Sequence, residues 1–190
     1  MDDTETRDGP PRVLMIAAIA VAVAAIGAIL VFAALRQTPP TEKPVAIVAV
    51  PAPYADSADC RTLVDALPER LGDFRRAAAA DPAPPAAAAW RAAPDGEAVI
   101  LRCGVDRPAE FVLGSPLQVV DKVSWFRVGE AGAGEDAGAD QGRSTWFAVD
   151  RPVYVALTLP AGSGPTPIQE ISRVITKSLP AKAVDPAPVG

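Results

Sequence analysis

Histidine is absent from the 190-residue chain, which removes the commonest general base and the commonest metal ligand. Only two cysteines occur, Cys60 and Cys103, 43 residues apart. They do not form a C-x-x-C pair, and two thiolates without clustered partners make no zinc site. Basic residues are outnumbered 18 to 23, for a formal charge of −5. The chain therefore lacks the basic face that a nucleic-acid binder needs, and no nucleic-acid partner is expected. Aromatics make up 5% against 49% hydrophobic residues, so alanine and valine carry much of the apolar content. No serine or threonine can join a histidine triad. Lys122 near Ser124 and Lys177 beside Ser178 show no spacing of an activated pair. Asp56 and Asp59 read as turn and cap residues. The expectation is a non-enzyme with no cofactor, no metal and no catalytic residues.

What is present begins with Val13–Leu35, 23 consecutive residues without a charge. As a helix this run extends roughly 34 Å, enough for a hydrocarbon core of about 30 Å. It is apolar on every face, unlike the amphipathic helix of a soluble core, and reads as a transmembrane helix. It also exceeds the 7–15-residue apolar region of a signal peptide, which favours an uncleaved anchor. Val31-Phe32-Ala33 keeps cleavage and secretion as the alternative. Arg7 and Arg12 before the run balance Arg36 and Lys43 after it, so the positive-inside rule is a tie. The cysteines break that tie, because both lie in the larger segment and a disulfide forms in an oxidising compartment. Residues 1–12 are thus expected in the cytoplasm and residues 36–190 outside the plasma membrane. Arginine outnumbers lysine 14 to 4, a coding bias of GC-rich bacteria.

Residues 36–54 carry five prolines between Arg36 and Pro53 and read as an extended tether, with Val45–Val50 able to pair as an edge strand. The domain is expected at 55–180. Its first helix takes Asp59 as cap, with Cys60, Val64 and Leu67 on one face. Pro68 should break it and leave a second turn carrying Leu71 and Phe74. Residues 77–95 are rich in alanine and proline and read as a loop clamped by Trp90. Strand signals follow at Ala98–Cys103, Phe111–Leu113, Leu117–Val120, Val123–Val128, Thr145–Val149 and Val153–Leu159. In the first of these, Val99, Leu101 and Cys103 share one face, and Ile100 and Arg102 the other. Asp150-Arg151-Pro152 joins the last two as a hairpin turn.

A closing helix starts at Thr166 as N-cap, with Pro167 in the first turn and Gln169 completing a capping box. Ile168, Ile171, Val174 or Ile175, and Leu179 form its buried stripe. Residues 181–190 are expected to be a disordered tail. The acidic, glycine-rich residues 129–142 fit neither a phosphate loop nor a calcium loop and read as a flexible hairpin insertion. Helix, strands with hairpin links, then helix define an α+β fold with a mostly antiparallel sheet packed by two helices. Cys60 and Cys103 both face the core, the geometry of one disulfide.

Several motifs together resemble a known family. They are the anchor, the proline-rich segment, D-C-x-x-L-x-x-x-L-P from Asp59 to Pro68, and L-R-C-G-V-x-R-P from Leu101 to Pro108. Trp125, D-R-P-V-Y-V-A-L-T-L-P from Asp150 to Pro160, and a shifted closing pattern of Ile168, Ile171, Ser172 and Ile175 complete the set. The chain resembles the actinobacterial membrane-protein family called domain of unknown function 3515, over roughly residues 15–180. The resemblance implies an anchored or exported protein and supplies no catalytic residues. The expected role is a non-catalytic cell-envelope binding or scaffold module, with Trp125, Trp146 and Arg151 as the candidate binding face. Its expected partners are the membrane, crossed once, and another envelope protein or wall component. The alternative is an accessory to an envelope enzyme, with a redox-cycling cysteine pair.

Overall fold

The computed structural model describes residues 12–36, 43–129 and 142–189. The chain forms two compact units, Met1–Thr41 and Glu42–Gly190. In the first, helix α1 covers Arg12–Arg36. Its segment Leu14–Phe32 is long and apolar enough to cross a membrane, a property shared by anchors and signal sequences.

In the second unit, helix α2 (Ala58–Asp65) is followed by strands β1 (Arg70–Leu71), β2 (Phe74–Ala77), β3 (Ala87–Arg91) and β4 (Ala98–Val105). Strands β5 (Gln118–Val120), β6 (Val123–Gly129), β7 (Ser144–Ala148) and β8 (Tyr154–Leu159) come next, then helix α3 (Thr166–Ser178). All eight strands form one antiparallel sheet in the order β1-β2-β3-β4-β8-β7-β6-β5. Two four-stranded meanders are thus joined through the β4–β8 pair. The α+β architecture with an antiparallel sheet is the one the sequence implies.

Period-two alternation assigns the two faces. The inner face carries Trp90, Val99, Leu101, Cys103, Val155 and Leu157, and buries them against α2 and α3. Ile168, Ile171 and Ile175 of α3 and Leu179 just after it fill the same core, with Val174 half-buried beside it. Helix α3 touches β1, β5 and β6, although β1 and β5 are the two edges of the sheet. Seven spacings of about 4.8 Å would put flat edges about 34 Å apart, whereas 13 residues of helix reach only about 20 Å. The sheet therefore curls around α3.

The outer face is covered by chain outside the regular elements. Val45 bridges Ala79, and Val45 and Ile47 bury themselves against Ala77, Ala89, Ala98 and Ile100. Residues 43–54 are thus a packed strap, not a free tether, and the domain starts well before residue 55. Phe111 packs on Phe126 with ring centroids 5.3 Å apart. The 181–189 segment is no disordered tail either. Lys182 N–H donates to the Asp150 carbonyl, Ala187 bridges Val112, and Asp185 pairs with Arg107 at 3.5 Å.

Local expectations fare unevenly. Ser57, not Asp59, caps α2, its Oγ accepting from Cys60 N–H at 3.2 Å; Asp59 sits in the first turn, where its charge favours the helix dipole. The residues after Pro68 form the β1–β2 hairpin instead of a helical turn, because Gly72 turns the chain at φ +60°. The 77–95 segment is not all loop. Ala87–Arg91 pairs between β2 and β4, and the Trp90 indole is buried and donates to the Pro68 carbonyl at 2.8 Å. Phe111–Leu113 makes only the single bridge at Val112. Helix α3 starts with Thr166 already helical, and Pro165 at the cap position offers no side-chain bond, so the capping box does not form. Of the expected insertion at 129–142, residues 130–141 lie outside the described residues, as do residues 1–11.

Candidate functional site

Trp125, Trp146 and Arg151 are all buried and do not form an exposed face. Trp125 has no exposed surface, and its Nε1–H donates to Ser172 Oγ at 2.9 Å. Trp146 is 8% exposed, with its Nε1–H donating to Ser144 Oγ at 3.0 Å. Both indoles fill the inner-face core because their strand positions alternate inward. Arg151 is 5% exposed and lies 2.8 Å from the Asp150 carboxylate. Its Nη2 donates to the Lys122 carbonyl at 2.8 Å. That carbonyl belongs to the β5–β6 turn, where Asp121 and Lys122 both have positive φ without a glycine. Thr176 Oγ1 donates to the Asp121 carbonyl from the helix side. Arg151 is a clasp on a strained turn.

Cys60 and Cys103 form the disulfide, with Cα atoms 5.5 Å apart. Both residues are fully buried. The bond fastens α2 to the inner face of β4. Gly104 follows at φ +80°, and a Cβ there would overlap the Tyr54 backbone. The strap consequently runs close over the end of β4, where Tyr54 N–H donates to the Gly104 carbonyl at 3.1 Å. No group of three or more His, Cys, Asp or Glu side chains is placed to hold a metal ion among the described residues.

Among the concavities of the described residues, two have predominantly apolar walls. One, of about 380 Å³, opens beside the start of α3 between Trp146, Leu159 and Ile168 on one side and Gly162–Pro165 on the other. The second, of about 490 Å³, lies on the outer face. Its floor is Arg102 of β4, Ala156 and Thr158 of β8, Thr145 and Phe147 of β7, and Val128 of β6. The strap residues Val50 and Pro51 border it, as do Val105, Asp106, Pro108 and Glu110. Pockets of this size accommodate small organic ligands.

Arg102 is the charged group in the floor. Its Nε and Nη2 both donate to the Val48 carbonyl, at 3.3 and 3.2 Å. Desolvation by burial lowers its pKa from the usual arginine value, although a guanidinium stays charged at neutral pH. The same effect acts on Arg76, whose guanidinium lies 4.9 Å from the Trp90 ring centroid, with Glu69 opposing it. Sequence alternation assigns Arg102 to the outer side of its strand without marking it as a site residue. The available signal was a lone arginine inside the otherwise apolar run AVILRC.

A disulfide-locked α+β domain with an open groove on one sheet face, in a chain that also carries a long apolar helix, defines the class. The chain belongs to the family described as Protein of unknown function (DUF3515), whose model matches residues 19–184. No curated protein and no solved structure matches the chain.

Proposed function

We propose that this chain is a membrane-anchored, extracytoplasmic binding module of the cell envelope that acts without catalysis. The observation that carries the reading is the outer-face groove of about 490 Å³, floored by four strands and bordered by the strap. The apolar helix supplies an anchor of sufficient length. The disulfide suits an oxidising compartment. Cycling of the cysteine pair is disfavoured because both residues have no exposed surface, and an attacking thiolate needs access to a sulfur.

Two measurements test the proposal. A reporter active only outside the membrane, fused after Gly190, should be active; activity of a cytoplasm-only reporter there would sink the topology. A photo-crosslinking residue at exposed Val48, beside the groove, should yield a discrete adduct in intact cells that the same residue at Arg61 on α2 does not. Equal adducts at both positions, or none at Val48, would remove the outer face as the binding surface.

A further inference from the structure

We infer that the outer-face groove binds a single-tailed amphiphile ending in a carboxylate, with Arg102 as the head-group anchor. The inference rests on the binding-module reading and names the chemistry of its ligand.

The first observation is the state of Arg102. A guanidinium has five N–H donors, and here only Nε and Nη2 have a partner, a single shared carbonyl. None of the described ion pairs includes Arg102. Arg107, Arg143, Arg151 and Arg173 each have a carboxylate within 3.5 Å. Arg76 and Arg127 lie over indole rings instead. Arg102 combines partial burial with neither kind of partner. Its planar fork suits a carboxylate, which accepts two parallel N–H bonds.

A second donor lies beside it. Thr145 Oγ1 and Thr158 Oγ1 are 3.0 Å apart and share one hydrogen bond. One hydroxyl proton is used in that bond, and the other has no protein acceptor among the described residues. Thr158 pairs with Ile100 and Ala156 with Arg102, so Thr158 and Arg102 are diagonal neighbours, about 7 Å apart at the backbone. Both threonines and Arg102 line the same groove.

The remainder of the floor is apolar. From Arg102 the floor continues across Ala156 and Phe147 to Val128, spanning β4, β8, β7 and β6. Three strand spacings make that path about 14 Å long, room for an extended hydrocarbon tail. The charge of the head follows from the rim. Asp106 and Glu110 stand at the mouth, and a doubly charged phosphate meets their repulsion with only one guanidinium to offset it. A monoanionic carboxylate meets half of that repulsion and still pairs with the Arg102 fork.

The test uses the full chain in lipid nanodiscs and equilibrium dialysis of labelled octanoate, octanol and octyl phosphate, with empty nanodiscs as the blank. Octanoate should bind saturably at one site per chain, at least tenfold tighter than octanol or octyl phosphate. Arg102→Gln should weaken octanoate at least tenfold and leave octanol unchanged. If that variant loses its thermal transition, Ala156→Leu, which narrows the floor, should weaken all three probes together. Equal binding of octanol and octanoate, tighter binding of octyl phosphate, unchanged octanoate affinity in a folded Arg102→Gln, or unchanged affinity in Ala156→Leu would overturn the assignment. If no probe binds while the Val48 adduct persists, the ligand assignment fails and the binding-module reading stands. Loss of the adduct removes both.

Discussion

Trp125 and Ser172 are joined across the interior by a hydrogen bond of 2.9 Å from indole to hydroxyl. Ser172 Oγ in turn donates to the Ile168 carbonyl at 2.7 Å. Both residues are fully buried, so the bond fixes the rotation of α3 against β6.

Ser172→Ala should leave the indole N–H without an acceptor and lose about 1–3 kcal/mol. Thermal unfolding of the full chain, followed by tryptophan fluorescence, reads the loss directly. An unchanged midpoint would mean that α3 is held by its isoleucine stripe alone.

Arg151→Met should cost more. Asp150, only 13% exposed in its side chain, would keep its bond from Ser124 N–H but lose its cation. Breaking one side of a buried pair costs roughly 3–5 kcal/mol. Replacing both residues, Asp150→Asn with Arg151→Met, should recover part of that loss in the same unfolding experiment.

The double variant Cys60→Ala, Cys103→Ala should lose about 2–5 kcal/mol, chiefly by releasing the unfolded chain from loop closure. Alkylation of the wild-type protein without reductant should add no mass. Two modified thiols in protein recovered from membranes would contradict the bond.

Tyr154 gives the fold an alkaline limit. Burial raises its pKa above the usual value of 10.0, Asp185 adds to the rise, and Arg107 opposes it. The unfolded chain therefore releases this proton first, and stability should fall as pH rises from about 10 through the folded-state pKa. A pH series of melting temperatures should show a smaller fall above pH 10 in Tyr154→Phe; an identical slope would assign it to other groups.

Sequence periodicity reads most truly where side chains alternate strictly. In AVILRC the alternation assigns Val99, Leu101 and Cys103 to one face and Ile100 to the other, because a strand buried on both sides still obeys the pleat. It reads least well where alanine and proline dominate. Ala87–Arg91 has little β propensity of its own and becomes a strand only between β2 and β4. The strap and tail look like linkers by composition, yet Val45, Ile47 and Ala187 find the outer face by contacts far away in sequence. The burial of the candidate face has a related cause. Two tryptophans and an arginine suggest a recognition surface, but inward register buries Trp125 and Trp146, and the turn at Asp121-Lys122 claims Arg151. Arg102, by contrast, is visible only as the polar exception in an apolar strand.

The position of β8 constrains the order in which the domain can close. A chain delivered from its N-terminus presents β1 through β4 early, with one long edge of β4 unpaired until Tyr154–Leu159 arrives. Such an edge invites wrong partners. Cys60 and Cys103 both lie in that early half, so their bond can form before the second meander exists and hold α2 over the waiting strand. A bond formed at that stage would act as a placeholder, keeping half a sheet in register for a strand that starts 49 residues beyond the end of β4.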